Sequence, residues 1–99
     1  VLVLSGRLDL RSALALRTRV EGLVGEGWSQ LVVDLGEVAY IDSSGLGALV
    51  GALATTRRAG GDCRLARSRG PVSDLLQAST LDRVITPYST VEDALAEYV

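Results

Sequence analysis

Ninety-nine residues with a net charge of −2 make one small domain, 1–99, large enough for one hydrophobic core and too small for two. Apolar residues supply 47% of the chain, so it should fold rather than stay disordered, and ten arginines against twelve acidic residues do not predict a nucleic-acid surface. One cysteine, Cys63, and no histidine exclude an intrachain disulfide and a Cys/His metal site.

Val1 to Ser5 read as a strand ended by Gly6. A helix follows from about Leu10 to Val24, with Ala13, Leu16, Val20, Leu23 and Val24 as its apolar stripe, Asp9 in position to cap it, and Gly25 and Gly27 as stop signals. Gln30 to Leu35 form a second, buried strand, and Val38 to Ile41 continue apolar. Leu46, Leu49, Val50 and Leu53 then recur at helical spacing and assign a glycine-rich helix from about Ser44 to Arg58 to the core. Gly60 and Gly61 end it before a third strand, Cys63 to Ala66, in which the thiol is expected to be buried and inert. Pro71 suits the first turn of a short helix through about Ala78, Leu81 to Thr86 read as a short strand, and Ser89 to Glu92 have capping-box spacing before a last helix with Val91, Ala94, Leu95 and Tyr98. Alternating strands and helices give an α/β architecture with most helices on one sheet face. No apolar run approaches the roughly 20 residues of a membrane span, so no membrane insertion and a cytoplasmic location are expected.

The run from Ile41 to Gly47 carries the chemistry. It sets Ser43 and Ser44 beside Asp42 where an apolar strand turns into a helix, and a helix N-terminus favours a negative group. By residue type alone Ser43 reads most simply as a helix cap. Asp42 reads as the residue that holds the turn through its own hydrogen bonds, with assistance to phosphoryl transfer as the alternative. Asp9 is either a cap or a contact residue. Asp34 reads as a strand-end residue bonding nearby backbone, and the arginines at 57, 58, 64, 67 and 69 as solvated charge, with contact to an acidic partner as the alternative. Gly45, Gly47 and Gly51 disfavour a helix unless the backbone must approach the sheet or a partner closely, and they fit neither a dinucleotide fingerprint nor a P-loop. Trp28 and Tyr40 read as packing residues, with a place at the border of the contact surface as the alternative for Tyr40.

The turn Gly6-Arg7-Leu8-Asp9, the strand Val32-Val33-Asp34-Leu35 and the turn Asp42-Ser43-Ser44-Gly45-Leu46-Gly47 together resemble the STAS domain, and more narrowly the bacterial anti-sigma-factor antagonists. The resemblance implies a single-layer mixed sheet of four or five strands with helices mainly on one face, and an edge strand ahead of the one that opens this chain. It also implies a regulatory binding protein without catalytic residues, cofactor or metal. Its partners would be an anti-sigma factor that is also a serine kinase, and a serine phosphatase. The phosphoacceptor would be Ser43, Ser44 would be the structural cap, and Asp9, Asp42, Ser43, Ser44, Gly45, Leu46 and Gly47 would form the partner-binding surface.

Two rival readings use the same residues differently. Domains resembling this one also serve as interaction modules of transporter ATPases or sensory assemblies without phosphorylation. An enzyme is the third reading, and it is thin. No histidine or lysine is present to activate a serine, and Asp34 with Asp42 make a meagre Mg²⁺ site.

Overall fold

The computed structural model describes residues 1–79, 81–85 and 87–96. The described strands are β1 (Leu2–Leu8), β2 (Gln30–Ile41), β3 (Asp62–Ala66) and β4 (Pro87–Tyr88). The helices are α1 (Leu10–Gly25), α2 (Ser43–Arg58), α3 (Gly70–Ala78) and α4 (Val91–Ala96). The sheet order is β1-β2-β3-β4, and all three pairings are parallel. The sheet is therefore parallel rather than mixed among the described residues. Each of the three connections between these strands is a helical crossover, which returns the chain to the same end of the sheet.

A continuous apolar run made β2 legible, because its residues Leu31 to Gly36 are buried on both faces. Leu31, Val33 and Leu35 join Leu16 and Val20 of α1, Leu49 and Leu53 of α2, and Val72 and Leu76 of α3 in the main core. The opposite face holds a smaller cluster, in which Ala94 of α4 packs on Val32 and Ala66.

Several elements depart from expectation. β1 does not stop at Gly6. Gly6 takes a φ of +76°, open to glycine, and irregular register on either side of it lets the strand continue to Leu8. β2 likewise runs through to Ile41. Leu81–Arg83 form a 3-10 turn, not a strand. The amides of Val84 and Ile85 both donate to the Leu81 carbonyl, and Leu81 and Ile85, four apart, both enter the core. Four apart is a helical repeat, and among the described residues of this segment only Pro87–Tyr88 pair with β3. At α4 the Thr90 hydroxyl, not Ser89, accepts the Asp93 amide. Tyr98 lies outside the described residues. Trp28 is 64% exposed beyond the Gly27 turn, and Val50 is exposed too, so neither belongs to the core.

Candidate functional site

Parallel pairing brings the ends of β1 and β2 side by side, with Leu8 opposite Ile41. One residue beyond each stands an aspartate that caps the following helix. Asp9 caps α1 reciprocally with Ser12: an Asp9 carboxylate oxygen accepts from the Ser12 amide at 3.3 Å, and the Ser12 hydroxyl accepts from the Asp9 amide at 2.9 Å. The Ser12 backbone bond, followed by its side-chain bond and by Arg7, holds the Asp9 carboxyl below its ordinary range. Asp9 is thus a cap, one of the two roles open to it from sequence.

Asp42 caps α2, its carboxylate accepting from the Gly45 amide at 3.1 Å while its own amide donates to the Leu8 carbonyl at 3.4 Å. The expectation that Ser44 caps this helix is therefore corrected. A cap needs extended backbone ahead of the first helical residue, and Asp42 has it, with φ −120° and ψ −171°. Ser43 becomes the first residue of the helix and is exposed, Ser44 is half-buried, and Gly47 is exposed. Leu46 is half-buried against the main core. Gly45 is buried where a Cβ would meet the Leu8 carbonyl oxygen, Ile41 Cγ1 at 2.8 Å and Leu8 Cγ at 2.9 Å. The close approach expected of the glycines holds at Gly45 alone. At Gly47 and Gly51 a Cβ would enter open space.

The structure thus joins Asp9, Asp42, Ser43, Ser44 and Gly45 at the carboxyl ends of two neighbouring parallel strands, where open α/β sheets commonly place their sites. Tyr40 is partly exposed and stacks under the Arg7 guanidinium, 4.0 Å from the ring centroid, with Arg7 also 3.9 Å from Asp9.

Sequence reading missed the arginine contacts. Asp34 is buried in mid-strand, not at a strand end. Its carboxylate accepts from the Gly36 amide at 2.9 Å and from Arg67 Nε and Nη2 at 2.8 and 2.9 Å. The Arg67 hydrogen bond is the main cause that holds the Asp34 carboxyl below its usual range. Arg67 takes a left-handed φ of +60°, rare for a side-chain-bearing residue, while its amide donates to the Tyr88 carbonyl at 2.9 Å. Arg69 donates to the Gly36 carbonyl, Arg64 to the Ala94 carbonyl, and Arg57 to the Val84 carbonyl. These arginines are structural bridges, not simply solvated charge. The one advance sign was Asp34 itself, a carboxylate inside an apolar strand that demanded a partner. Cys63 is buried as expected, and burial followed by neighbouring Asp62 pushes its thiol up to about 12. Among the described residues no cluster of three or more metal-ligating side chains is present, and no helix is long and apolar enough to cross a membrane.

The model of the STAS domain matches residues 1–94. The chain belongs to the STAS domain family. It is 28% identical over 98 residues to a protein named as an anti-sigma factor antagonist in Thermotoga neapolitana, covering 98% of this chain and 87% of that protein. It is 30% identical over 95 residues to the anti-sigma F factor antagonist of Paenibacillus polymyxa, covering 95% and 81%. Among solved structures, an anti-sigma factor antagonist from Thermotoga maritima superposes with a TM-score of 0.87 at 26% identity, over 96% of this chain and 84% of that one. These similarities place this STAS domain with the anti-sigma factor antagonists.

Proposed function

We propose that this chain is an anti-sigma-factor antagonist whose docking surface is the carboxyl end of β1 and β2, and whose switch is Ser43. In the unmodified state the surface around Asp9, Asp42, Ser43, Ser44, Leu46 and Gly47 binds an anti-sigma factor that is also a serine kinase, and the sigma factor is freed. The kinase then phosphorylates Ser43 and releases itself, and a serine phosphatase restores the hydroxyl. The chain performs no catalysis; the kinase supplies the base and the Mg²⁺ for phosphoryl transfer.

The observation that carries this reading is the division of labour at the turn. Asp42 performs the capping, so the Ser43 hydroxyl is left exposed on a helix N-terminus with no structural duty to abandon. A phosphoryl group there adds a charge of about −1.5 to −2. The α2 dipole favours that charge, so the modified domain should stay folded, while the outer surface beside Asp42 becomes more negative. Loss of a micromolar partner needs only a few kcal/mol, since about 1.4 kcal/mol is tenfold in affinity.

The test is incubation with candidate anti-sigma kinases and Mg-ATP, followed by mass spectrometry. The reading expects one phosphoryl group, on Ser43, abolished by Ser43→Ala. Recovery of a transporter ATPase subunit as the binding partner, with Ser43 unmodified, would favour the unswitched module instead.

A further inference from the structure

Charge is divided unevenly over this molecule. Helices α1 and α2 carry five arginines (11, 17, 19, 57 and 58) and a single acid, Glu21, whereas the rest of the chain has five arginines against eleven acidic residues. The two helices together carry a charge of +4 in a domain of net charge −2, with Arg19 turned toward β1 and Arg57 paired with Asp62, so that Arg17 and Arg58 are the cations that line the space between them. Between the two helices runs an open groove of about 410 Å³. Leu10 and Leu14 line one wall, 63% and 55% exposed, although the core stripe of α1 is formed by Ala13, Leu16 and Val20. Gly47 and Gly51 form the opposite wall and leave it open, since neither glycine is required by packing or by φ. Arg17 and Arg58 stand at the end away from Ser44, and Glu21, 3.7 Å from Arg17, offsets part of that charge.

We infer that this groove receives an acidic amphipathic helix of the partner, its apolar stripe seated between Leu14 and Gly51 and its carboxylates facing the arginines. The inference rests on the docking reading above and names the partner's chemistry. Charge complementarity argues for an acidic occupant, and two exposed leucines opposite a wall without side chains suit helix packing, in which apolar knobs enter an open hole. The floor of α2 is 16 residues long, about 24 Å at a helical rise of about 1.5 Å per residue, so three to four turns of a second helix fit along it. The inference also explains why an anion at position 43 is effective. Ser44 lines the groove, so a phosphoryl group on its neighbour adds negative charge where an acidic helix must lie.

The test uses two designed helical peptides of roughly 15–18 residues with the same leucine stripe, one flanked by glutamates and the other by lysines, with oleate as a third probe. The glutamate peptide should bind at least tenfold more tightly at low salt, with the gap narrowing as salt rises, and should shift the amide resonances of Leu10, Arg17, Gly47 and Arg58. Gly51→Leu should weaken binding tenfold or more while leaving the melting temperature unchanged or raised, because the new side chain fills the groove and replaces a helical glycine. Arg58→Glu should erase the preference for acid. Equal binding of the two peptides, no binding of either, or groove shifts produced by oleate alone would overturn the inference. Neither peptide requires a kinase or Ser43, so failure here leaves the phosphorylation experiment standing, and the reverse holds as well.

Discussion

Gly45→Ala isolates the contact that seats the candidate site on the sheet. Alanine is a better helix former than glycine by about 0.8–1.0 kcal/mol, and that gain applies here. Against it stands the new methyl, which would lie inside contact distance of the Leu8 carbonyl oxygen, Ile41 Cγ1 at 2.8 Å and Leu8 Cγ at 2.9 Å. The first of these is backbone, held in the β1–β2 pairing and accepting the Asp42 amide, so it cannot swing aside as a side chain would. Overpacking of this kind costs about 1–3 kcal/mol. Pushing α2 outward also stretches the bond from the Gly45 amide to Asp42, and a lost cap costs about 1 kcal/mol more. The net expectation is destabilisation of about 1–3 kcal/mol, or a melting temperature lower by about 4–8 °C per kcal/mol in a domain of this size. Gly51→Ala is the control: it takes the same propensity gain with open space around the Cβ, and should stabilise by about 0.5–1 kcal/mol. Urea unfolding of both variants, with the midpoint read at constant slope, measures the difference. If Gly45→Ala were as stable as Gly51→Ala, the argument that α2 is docked through a side-chain-free contact would be wrong.

Other consequences are independent of that one. Asp42→Ala should lower stability by about 1 kcal/mol through loss of the cap, whereas Ser43→Ala should stay within about 0.5 kcal/mol of the parent in the same urea titration. Asp34 has a folded-state pKa below its ordinary 3.8, so its stabilisation is fully present above that value and is lost as pH falls through the lower, folded one. Stability profiles of the parent and of Asp34→Asn should therefore run apart at neutral pH and converge on acidification below about pH 4. Cys63, buried with its thiol pushed up to about 12, should resist a thiol reagent at pH 8 in the folded protein and react promptly in urea.

The parts of the fold that sequence disclosed are those where one physical signal dominates. The β2 run, the α1 stripe and the Pro71 helix start each have a single reading, and the structure follows them. Where two signals compete, sequence misled. Gly6 is a stop signal for a strand, but irregular register absorbs it, and only the partner strand reveals that. Leu81 to Thr86 has strand composition, yet hydrogen bonds to the Leu81 carbonyl turn the chain before it can pair. At the candidate site the Asp-Ser-Ser-Gly run was legible as a helix start, but which residue caps it was not. That assignment depends on the φ and ψ of Asp42, and both aspartate and serine are good caps. The arginine bridges were illegible for a simpler reason: Arg67 is thirty-three residues from Asp34, and no local pattern marks such a pair.

The most direct measurement compares the affinity of the anti-sigma factor for the parent chain and for the same chain carrying phosphoserine at position 43, with circular dichroism recorded on both. The account predicts a loss of affinity of tenfold or more with an unchanged folded spectrum and melting temperature. Equal affinity for the two forms, or loss of binding only because the modified chain unfolds, would contradict it.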